Sequence, residues 1–266
     1  MSDKIPVSVL VVTKNEEANL PRCLSALERF EEIIVVDSLS TDTTADIARS
    51  FGVTVMPFVW NGAYPKKRQW CLDNLRLKHD RVFFVDADEE LTPRLCDEIA
   101  ALDWACAGYF VRGVYVVGGR PLRFGLTNNK LCLFDRRKIM FPVVDDLDIP
   151  GMGEIEGHYQ PVLKPGTTGK IGSLRCGVLH HALEDPSRHE ARHKNYAIWE
   201  RGMRARDAYP QEPTLPRKWL KVAFGGLPLR PFLAFLHSYI IKLGIFDGVN
   251  GFFLAKCRYL YYKHYT

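Results

Sequence analysis

Apolar, strand-like runs alternate with helical segments four times within the first hundred residues. Residues 7–12, 32–36 and 81–85 are apolar at almost every position, and residues 53–56 form a shorter run. A strand that is apolar along its whole length is covered on both faces, which is typical of a parallel sheet between two layers of helices. The sequence therefore predicts an α/β fold with a Rossmann-like, mostly parallel sheet flanked by helices.

Polar residues follow three of these runs directly, at the point where each predicted strand ends. They are Thr13–Glu16 after the first run, Asp37-Ser38 after the second and Asp86-Ala87-Asp88 after the fourth. Ligands of open α/β sheets bind at the carboxyl ends of the strands. Because Mg²⁺ and Mn²⁺ commonly bind through one or two carboxylates and substrate phosphates, the D-x-D triplet could hold a cation against a diphosphate. Taken alone, the triplet is a weak signal, because acidic pairs at strand ends are usually solvated caps.

The pattern changes after residue 105. Tyr109–Val117 and Lys130–Phe134 indicate longer strands, which we expect to be antiparallel. Residues 141–173 are rich in glycine, proline and acids, and we interpret them as loops of a site. His189–Ala205 predicts a polar helix, in which His189-x-x-x-His193 is interpreted as a solvated face or as contacts to a substrate.

The seven cysteines are scattered, without a C-x-x-C pair. An odd count in a chain of this length indicates reduced thiols, as in a cytosol, rather than a disulfide framework. Residues 1–6 lack a signal-peptide pattern and run directly into the first strand. We therefore expect a cytoplasmic protein.

The net charge of +5 is concentrated at the C-terminal end. Residues 217–266 carry eight Lys and Arg but only one acid, whereas residues 1–216 carry 28 basic and 30 acidic side chains. Aromatic residues alternate with these cations, and the apolar stretch Phe232–Ile241 is too short to span a membrane. Helices docked on anionic lipid fit this composition, and a helical pair packed on the domain or a homodimer interface is the alternative. Nucleic-acid binding is not expected, because the basic excess is local.

Four motifs resemble those of family 2 glycosyltransferases with the GT-A fold, in the same order and spacing. They are Thr13-Lys14-Asn15-Glu16-Glu17, Val36–Asp42, Lys67-Arg68-Gln69 and Asp86-Ala87-Asp88. Three further segments are similar to the subgroup that includes lipopolysaccharide-core glucosyltransferases: Gly118-Gly119-Arg120-Pro121, Lys130–Phe134, and Gly172-Ser173-Leu174 with His180. The resemblance covers residues 6–200 and is weaker over the last fifty.

The resemblance implies a nucleotide-sugar donor, UDP-linked by preference, bound together with Mn²⁺ or Mg²⁺. Asp37 would accept hydrogen bonds from the nucleobase or the ribose, and Arg68 would approach the base or the diphosphate with its fork of donors. Asp88 would be the direct metal ligand. The implied nucleotide-binding residues are Thr13, Asn15, Glu16, Asp37, Ser40, Arg68 and Asp86, and the implied metal ligands are Asp86, Asp88 and His180.

Each of these residues also has a purely structural interpretation. Asp37 and Asp42 could cap the following helix, and Glu16 could favour a helix N-terminus through the helix dipole. Arg68 could be a solvated helix residue, as we expect Lys66-Lys67 beside it to be. His180 could be an ordinary buried, hydrogen-bonded histidine.

An inverting transferase also needs a general base that deprotonates the acceptor hydroxyl. The family places a carboxylate in the loop after the second half of the sheet. Here Gly151–Pro161 departs from the His-Glu pair and Gly-x-x-Gly-x-Leu turn of the subgroup. We favour Glu156, which has a histidine two positions away and a glycine beside it, over Glu154 and then Asp146. Asp145 and Asp148 lie in the same acidic loop.

The sequence therefore predicts a metal-dependent, inverting glycosyltransferase of the hexosyltransferase type. It would move a sugar from a UDP-linked donor to a hydroxyl of a cell-envelope glycan or a lipid-linked precursor. Residues 1–210 would form the GT-A domain, with a nucleotide-binding half (1–104) and an acceptor-binding half (105–210). Residues 211–266 would form a helical extension that docks on the inner face of the plasma membrane or on a second subunit.

Two other functions remain open at this point. A nucleotidyltransferase also binds a nucleotide on such a sheet, but it normally needs a glycine-rich phosphate loop, which Thr13–Glu16 is not. A non-catalytic, membrane-peripheral scaffold of the same fold is the other alternative, and the intact D-x-D triplet argues against it.

Overall fold

A computed structural model describes residues 4–156, 159–184, 186–208 and 229–265. The chain forms two compact units. The first, which we call the sheet unit, comprises Met1–Val114, Asn128–Phe141 and Pro161–His181; the second, the helical unit, comprises Tyr115–Thr127, Pro142–Gln160 and Ala182–Thr266. The domain boundary predicted at residue 210 and residues 211–228 of the predicted extension lie outside the described residues, so that boundary stays a prediction.

Eleven strands are present in the described part of the chain. They are β1 (Ile5–Thr13), β2 (Phe30–Asp37), β3 (Thr54–Pro57), β4 (Arg81–Asp86), β5 (Glu89–Leu91), β6 (Gly108–Val117), β7 (Arg120–Pro121), β8 (Asn128–Asp135), β9 (Ile139–Met140), β10 (Val162–Leu163) and β11 (Ile171–His180). Nine of them form one sheet in the order β3-β2-β1-β4-β8-β6-β11-β5, with β7 paired to β6, and β9 pairs with β10.

The first half of this sheet is parallel. Strand β1 lies between β2 and β4 and is parallel to both, and β3 continues the parallel order on the outside of β2. The pairs β4–β8, β6–β8 and β5–β11 are antiparallel. Val9, Leu10 and Val11 are completely buried, as expected for a central strand covered on both faces. The predicted α/β fold and the antiparallel strands of the second half are confirmed.

Seven α-helices accompany the strands within the described ranges. They are α1 (Leu20–Ser25), α2 (Thr44–Ser50), α3 (Lys67–Asn74), α4 (Pro93–Ala100), α5 (Pro186–Ala205), α6 (Arg230–Leu236) and α7 (Gly248–Tyr265). Helix α4 is capped by Thr92, whose hydroxyl accepts a hydrogen bond from the Leu95 N–H (3.2 Å). The prediction that residues 141–173 are entirely loop is wrong, because Val162 pairs with Met140 and β11 begins at Ile171.

In the helical unit, α7 packs against α5 and α6. The Tyr261 hydroxyl of α7 donates a hydrogen bond to the Glu200 carboxylate of α5. The guanidinium of Arg230, at the start of α6, lies 4.4 Å from the centre of the Tyr262 ring. Part of the basic, aromatic C-terminal segment is therefore used to hold the helices of this unit together.

The chain bends sharply between α6 and α7. Helix α6 continues into a π-helical turn (His237–Ile241), and a 3₁₀ turn (Gly244–Asp247) precedes α7. Gly251 lies so close to this 3₁₀ turn that a Cβ atom there would be 1.8 Å from the Gly244 carbonyl oxygen, so only glycine fits. We call residues 240–252 the elbow.

No single helix among the described residues has the length and apolar character of a membrane span. The two helical stretches Arg230–Ile241 and Gly244–Lys263, which meet at an angle of 73°, have the length and composition of a broken span or a re-entrant loop when they are taken together.

Candidate active site

The loops that follow β1 and β2 are joined by hydrogen bonds. The Asn15 N–H donates to Ser40 Oγ (2.8 Å), and Asn15 Oδ1 accepts from the Thr41 N–H (2.8 Å). One residue further, the Glu16 N–H donates to the Thr44 hydroxyl (2.8 Å). Asn15 has a φ of 55°, a left-handed conformation in which asparagine is enriched. The structure thus brings the predicted residues Asn15, Glu16 and Ser40 to one edge of the parallel sheet.

Asp37 ends β2, and its carboxylate organises the loop beyond it. It accepts hydrogen bonds from Thr13 Oγ1 (2.9 Å), from the Ser40 N–H (2.8 Å) and from Ser40 Oγ. A carboxylate has about four acceptor positions, so these bonds leave room for a further donor. Asp37 is not the cap of α2, because that helix begins at Thr44 and its first N–H is accepted by Asp42 Oδ1 (3.0 Å).

The two lysines at the start of α3 were expected from the sequence to be solvated. Lys66 and Lys67 are both buried, so that prediction is wrong. The Lys67 ammonium donates to the Thr13 carbonyl oxygen (3.2 Å) and lies 5.8 Å from the centre of the Phe58 ring. A backbone carbonyl and the face of an aromatic ring replace water around this cation. Consecutive basic residues in a sequence do not reveal such partners.

Asp86, the first carboxylate of the D-x-D triplet, lies between two cations. Its Oδ1 accepts from the Arg68 guanidinium (2.8 Å), and its Oδ2 lies 2.6 Å from the Lys130 ammonium of β8. Burial would raise the pKa of Asp86, but Lys130 and Arg68 outweigh burial and hold the pKa far below its usual range. Asp86 therefore stays ionised, and one donor of Arg68 is directed at the end of β4.

Buried Glu89 and partly exposed Lys130 form an ion pair that no motif in the sequence predicts. The Lys130 ammonium lies 2.6 Å from Glu89 Oε1, and Glu89 Oε2 accepts from the Asp86 N–H (3.0 Å). Burial and the Asp86 charge raise the pKa of Glu89. Burial would lower the pKa of Lys130, but Asp86 and Glu89 raise it instead. The pair fixes the backbone of the D-x-D turn, and only the pairing of β4 with β8 could have revealed it.

Asp88, the second carboxylate of the triplet, lies against His180 at the end of β11. Asp88 Oδ1 is 3.4 Å from His180 Nε2, and the two residues are only 5% and 8% exposed. The next residue, His181, donates its N–H to the Asp88 carbonyl (2.8 Å) and places Nε2 3.0 Å from Glu90 Oε2. Burial would lower the pKa of His180, but Asp88 and Glu89 raise it. The structure thus brings together two of the three predicted metal ligands, Asp88 and His180.

The Asp88 and His180 side chains fit a divalent cation. Carboxylate oxygens and imidazole nitrogens are common metal ligands. Their separation of 3.4 Å is near the distance of about 3 Å between adjacent ligands of an octahedral ion with bonds of about 2.1 Å. Within the described residues, no group of three or more His, Cys, Asp or Glu side chains is placed to hold a metal. The donor set therefore suits an ion that takes its other ligands from a diphosphate and water.

Three carboxylates of the acidic loop in the helical unit have structural partners. Asp148 makes a bidentate pair with Arg206 (2.7 and 2.5 Å), and Asp145 lies 3.8 Å from the same guanidinium. Buried Asp146 accepts a hydrogen bond from Trp199 Nε1 (2.8 Å). Such partners tie these groups to α5 and to Arg206, the residue that follows it.

Glu154 and Glu156 of the same loop also make interactions; Glu154 is partly exposed and Glu156 is buried. The neighbouring Gly157 and His158, on which the preference for Glu156 rested, lie outside the described residues. The base therefore stays a prediction, with Glu156 and Glu154 as its candidates.

A cavity of about 170 Å³ lies between α5 and α7 in the helical unit. His189, His193, Cys257 and Tyr261 are among the side chains that line it. The rings of His189 and His193 stack with their centres 3.8 Å apart, and His189 is buried, so its interpretation as part of a solvated face is wrong. Burial raises the pKa of Cys257 to about 11, which keeps the thiol protonated at neutral pH.

The mostly parallel sheet with carboxylates at its strand ends has the arrangement of the GT-A fold. The family model described as "Glycosyl transferase family 2" matches residues 8–153, which is more than half of the chain. The protein therefore belongs to glycosyl transferase family 2, and the resemblance found in the sequence is confirmed.

Two relatives are similar to part of the chain. The lipopolysaccharide core biosynthesis glycosyltransferase LpsC of Rhizobium meliloti is 35% identical over 130 residues, which are 44% of this chain and 46% of LpsC. An uncharacterized glycosyltransferase of Rickettsia typhi is 38% identical over 97 residues, which are 35% of this chain and 31% of that protein. The matched segments thus span 31% and 46% of the length of these two relatives.

Two solved structures are similar in fold. Glucosyl-3-phosphoglycerate synthase from Mycobacterium tuberculosis, in complex with Mn²⁺, UDP and glucosyl-3-phosphoglycerate, is 24% identical, with 42% of this chain and 45% of that chain covered and a TM-score of 0.33. Residues 1–349 of S. aureus TarS are 14% identical, with 94% and 90% covered and a TM-score of 0.45.

Proposed function

We propose that this protein transfers a sugar from a UDP-linked donor to a hydroxyl of a cell-envelope glycan or a lipid-linked precursor, with inversion at the anomeric carbon. The observation that carries the proposal is the buried contact between Asp88 and His180 at the carboxyl end of β4. Ligands of such sheets bind at that edge. The similarity to LpsC supports a cell-envelope acceptor, and the resemblance of the motifs supports UDP.

The donor nucleotide would bind at the ends of β1 and β2. The remaining acceptor position of Asp37 suits a nucleobase N–H or a ribose hydroxyl, and the Thr13 and Ser40 hydroxyls hold that carboxylate in place. Arg68 carries five donors, one of which is directed at Asp86. Its positive charge next to the D-x-D turn suits a diphosphate.

Asp88 and His180 would hold Mn²⁺ or Mg²⁺, with Asp86 beside them. The ion would neutralise the leaving diphosphate as a Lewis acid. The protein itself keeps the ligands in position, since the Asp88 carbonyl is bonded to the His181 N–H and the Asp86 N–H is bonded to Glu89. Preorganised charge of this kind needs no rearrangement when the sugar–phosphate bond breaks.

Glu156, or Glu154 in its place, would take the proton of the acceptor hydroxyl. The acceptor oxygen would attack the anomeric carbon from the side opposite to the departing nucleotide, and the attack would invert that centre. Glu156→Gln should abolish transfer and leave UDP binding intact, with Asp145→Asn as the control from the same loop. Full transfer by Glu156→Gln would move the role to Glu154.

Calorimetric titration tests the donor and the metal together. We expect micromolar binding of UDP in the presence of Mn²⁺, weaker binding of GDP, and loss of UDP binding with chelator or in Asp88→Asn. Asp46→Asn on α2, whose side chain is 78% exposed, is the matched control and should bind UDP normally. UDP binding that survives both chelator and Asp88→Asn would contradict the metal role. The absence of nucleotide binding under every condition would favour the alternative, a non-catalytic scaffold of the same fold.

A further inference from the structure

The elbow exposes a dense apolar surface. Its large apolar side chains are between 46% and 83% exposed, and they are Ile240, Ile241, Leu243, Ile245, Phe246, Val249 and Phe252. Single exposed apolar residues are normal on a soluble protein, but a contiguous set of this size marks an interaction surface. The elbow is therefore the place in the described chain where a partner is most expected.

A neighbouring loop of the helical unit extends this surface. The ring of Phe124 lies 5.6 Å from the ring of Phe246 and is also exposed. The Asp247 carboxylate accepts hydrogen bonds from the Arg123 N–H (3.1 Å) and the Phe124 N–H (2.8 Å). Asp247 is the only acid in residues 240–252, and its charge is directed at these backbone donors.

Cations border the apolar surface. Lys242 lies within the elbow, Arg123 lies in the loop that Asp247 binds, and both are exposed. Apolar side chains next to Lys and Arg, with the single acid already bonded to backbone N–H groups, match anionic headgroups above an acyl layer. In a two-fold dimer through the same patch, each surface would face its own copy and bring like charges together. The charge pattern thus favours lipid over a second copy.

The elbow is built on a fixed backbone. The Gly125 N–H donates to the Lys242 carbonyl oxygen (2.7 Å), and the α7 backbone at Gly251 packs directly on Gly244. The apolar side chains therefore stand on a rigid bend. The two helical stretches meet at an angle of 73°. Together they have the length and composition of a re-entrant loop.

We propose that the elbow, together with Phe124, inserts into the acyl layer of an anionic lipid bilayer. The bend enters first, while Lys242 and Arg123 stay at the level of the headgroups. This assigns membrane contact to one bend of the C-terminal segment instead of to helices that lie flat along the surface. The inference does not depend on the chemistry proposed for the carboxylate site.

Vesicle flotation with the full chain tests the insertion. Phe246→Glu/Val249→Glu changes side chains that are 70% and 83% exposed, and the control Val59→Glu/Val143→Glu changes side chains that are 70% and 69% exposed elsewhere. We expect wild type and control to float with vesicles of phosphatidylcholine and phosphatidylglycerol, and the elbow variant to bind at least tenfold more weakly. Equal binding of both variants, or no binding of wild type, would overturn the proposal; thermal melts confirm that the variants are folded.

A second measurement separates insertion from surface adsorption and from self-association. Tryptophan at position 246 (Phe246→Trp) should be quenched by lipids brominated on their acyl chains, beyond the quenching of the five native tryptophans. Val59→Trp is the control and should show no added quenching. Vesicle binding without added quenching at position 246 would leave only electrostatic adsorption and overturn insertion. A wild-type dimer in sedimentation that Phe246→Glu/Val249→Glu dissociates, without lipid binding, would assign the elbow to a second copy.

Discussion

The carboxylate site of the sheet unit and the elbow of the helical unit keep their shapes in opposite ways. At the carboxylate site the side chains hold one another, as where Asp86 lies between Arg68 and Lys130. At the elbow the backbone holds the shape, because Gly251 packs on Gly244 and the large side chains face outwards. The first region is a network of partly buried charges, and the second is an exposed apolar surface on a rigid support.

This difference determines how each region should respond to substitution. Removing one member of a buried charge network leaves the others without compensation, so both stability and function suffer. An exposed apolar side chain has little packing to lose, so its replacement should change only what the surface binds. The two regions can therefore be distinguished by comparing the free energy of unfolding with activity in the same variants.

Asp88→Asn should have the largest effect. Loss of the charged ligand should lower turnover with a UDP-sugar by about 10³-fold or more, since a bound cation contributes several kcal/mol of charge stabilisation to the transition state. Flotation on anionic vesicles should be unchanged, because the elbow is intact. Asp97→Asn, an exposed residue of α4, is the control for both assays. Near-normal turnover in Asp88→Asn would refute the metal role.

Lys130→Met should cause the largest loss of stability. It leaves partly exposed Asp86 and buried Glu89 without their shared cation. Removing one partner of a buried ion pair typically costs about 3 kcal/mol or more. Urea unfolding measures the change. Lys138→Met, an exposed lysine that follows the same strand, should be nearly neutral, and Glu89→Gln added to Lys130→Met should restore part of the loss. A change in Lys130→Met no larger than in Lys138→Met would mean that the network is dispensable.

The strand-end residues could be predicted because their signal is local. Asp37, Asp86 and Asp88 follow apolar runs directly, and parallel strands place such positions at one edge of the sheet. Lys130 and Glu89 could not be found in this way, because their contact depends on the antiparallel pairing of β8 with β4. Nothing in the sequence of a single strand reports which strand will lie beside it.

The structure of the C-terminal segment could also be predicted only in part from the sequence. Its composition predicts an interaction surface, but composition does not tell which aromatic and basic residues face inwards. Arg230 and Tyr261 pack inside the helical unit, whereas Phe246 and Val249 are exposed at the bend. Which residues face inwards depends on the break between α6 and α7, where Gly251 lies in close contact with Gly244. The sequence does not predict this break.

Asp37→Asn should weaken UDP binding without abolishing it. The amide keeps one acceptor oxygen for Thr13 or Ser40, but it loses the charge that strengthens hydrogen bonds from the nucleotide. A charge-assisted bond contributes about 1.5–3 kcal/mol, so we expect affinity to fall by about 10- to 100-fold in calorimetry. Asp46→Asn should again behave as wild type. Unchanged affinity would mean that Asp37 only organises the loop.

Val249→Ser should have the smallest effect on stability and so gives the sharpest test of the comparison. Val249 is 83% exposed, so the free energy of unfolding should change by no more than about 0.5 kcal/mol. Binding to anionic vesicles should nevertheless fall by about tenfold, because the lost transfer of a valine side chain into an apolar phase is about 1.5 kcal/mol. Urea unfolding and vesicle flotation of the same sample measure both. A loss of stability that depends on protein concentration would show that a second copy covers Val249, because only an intermolecular contact makes the free energy of unfolding vary with concentration.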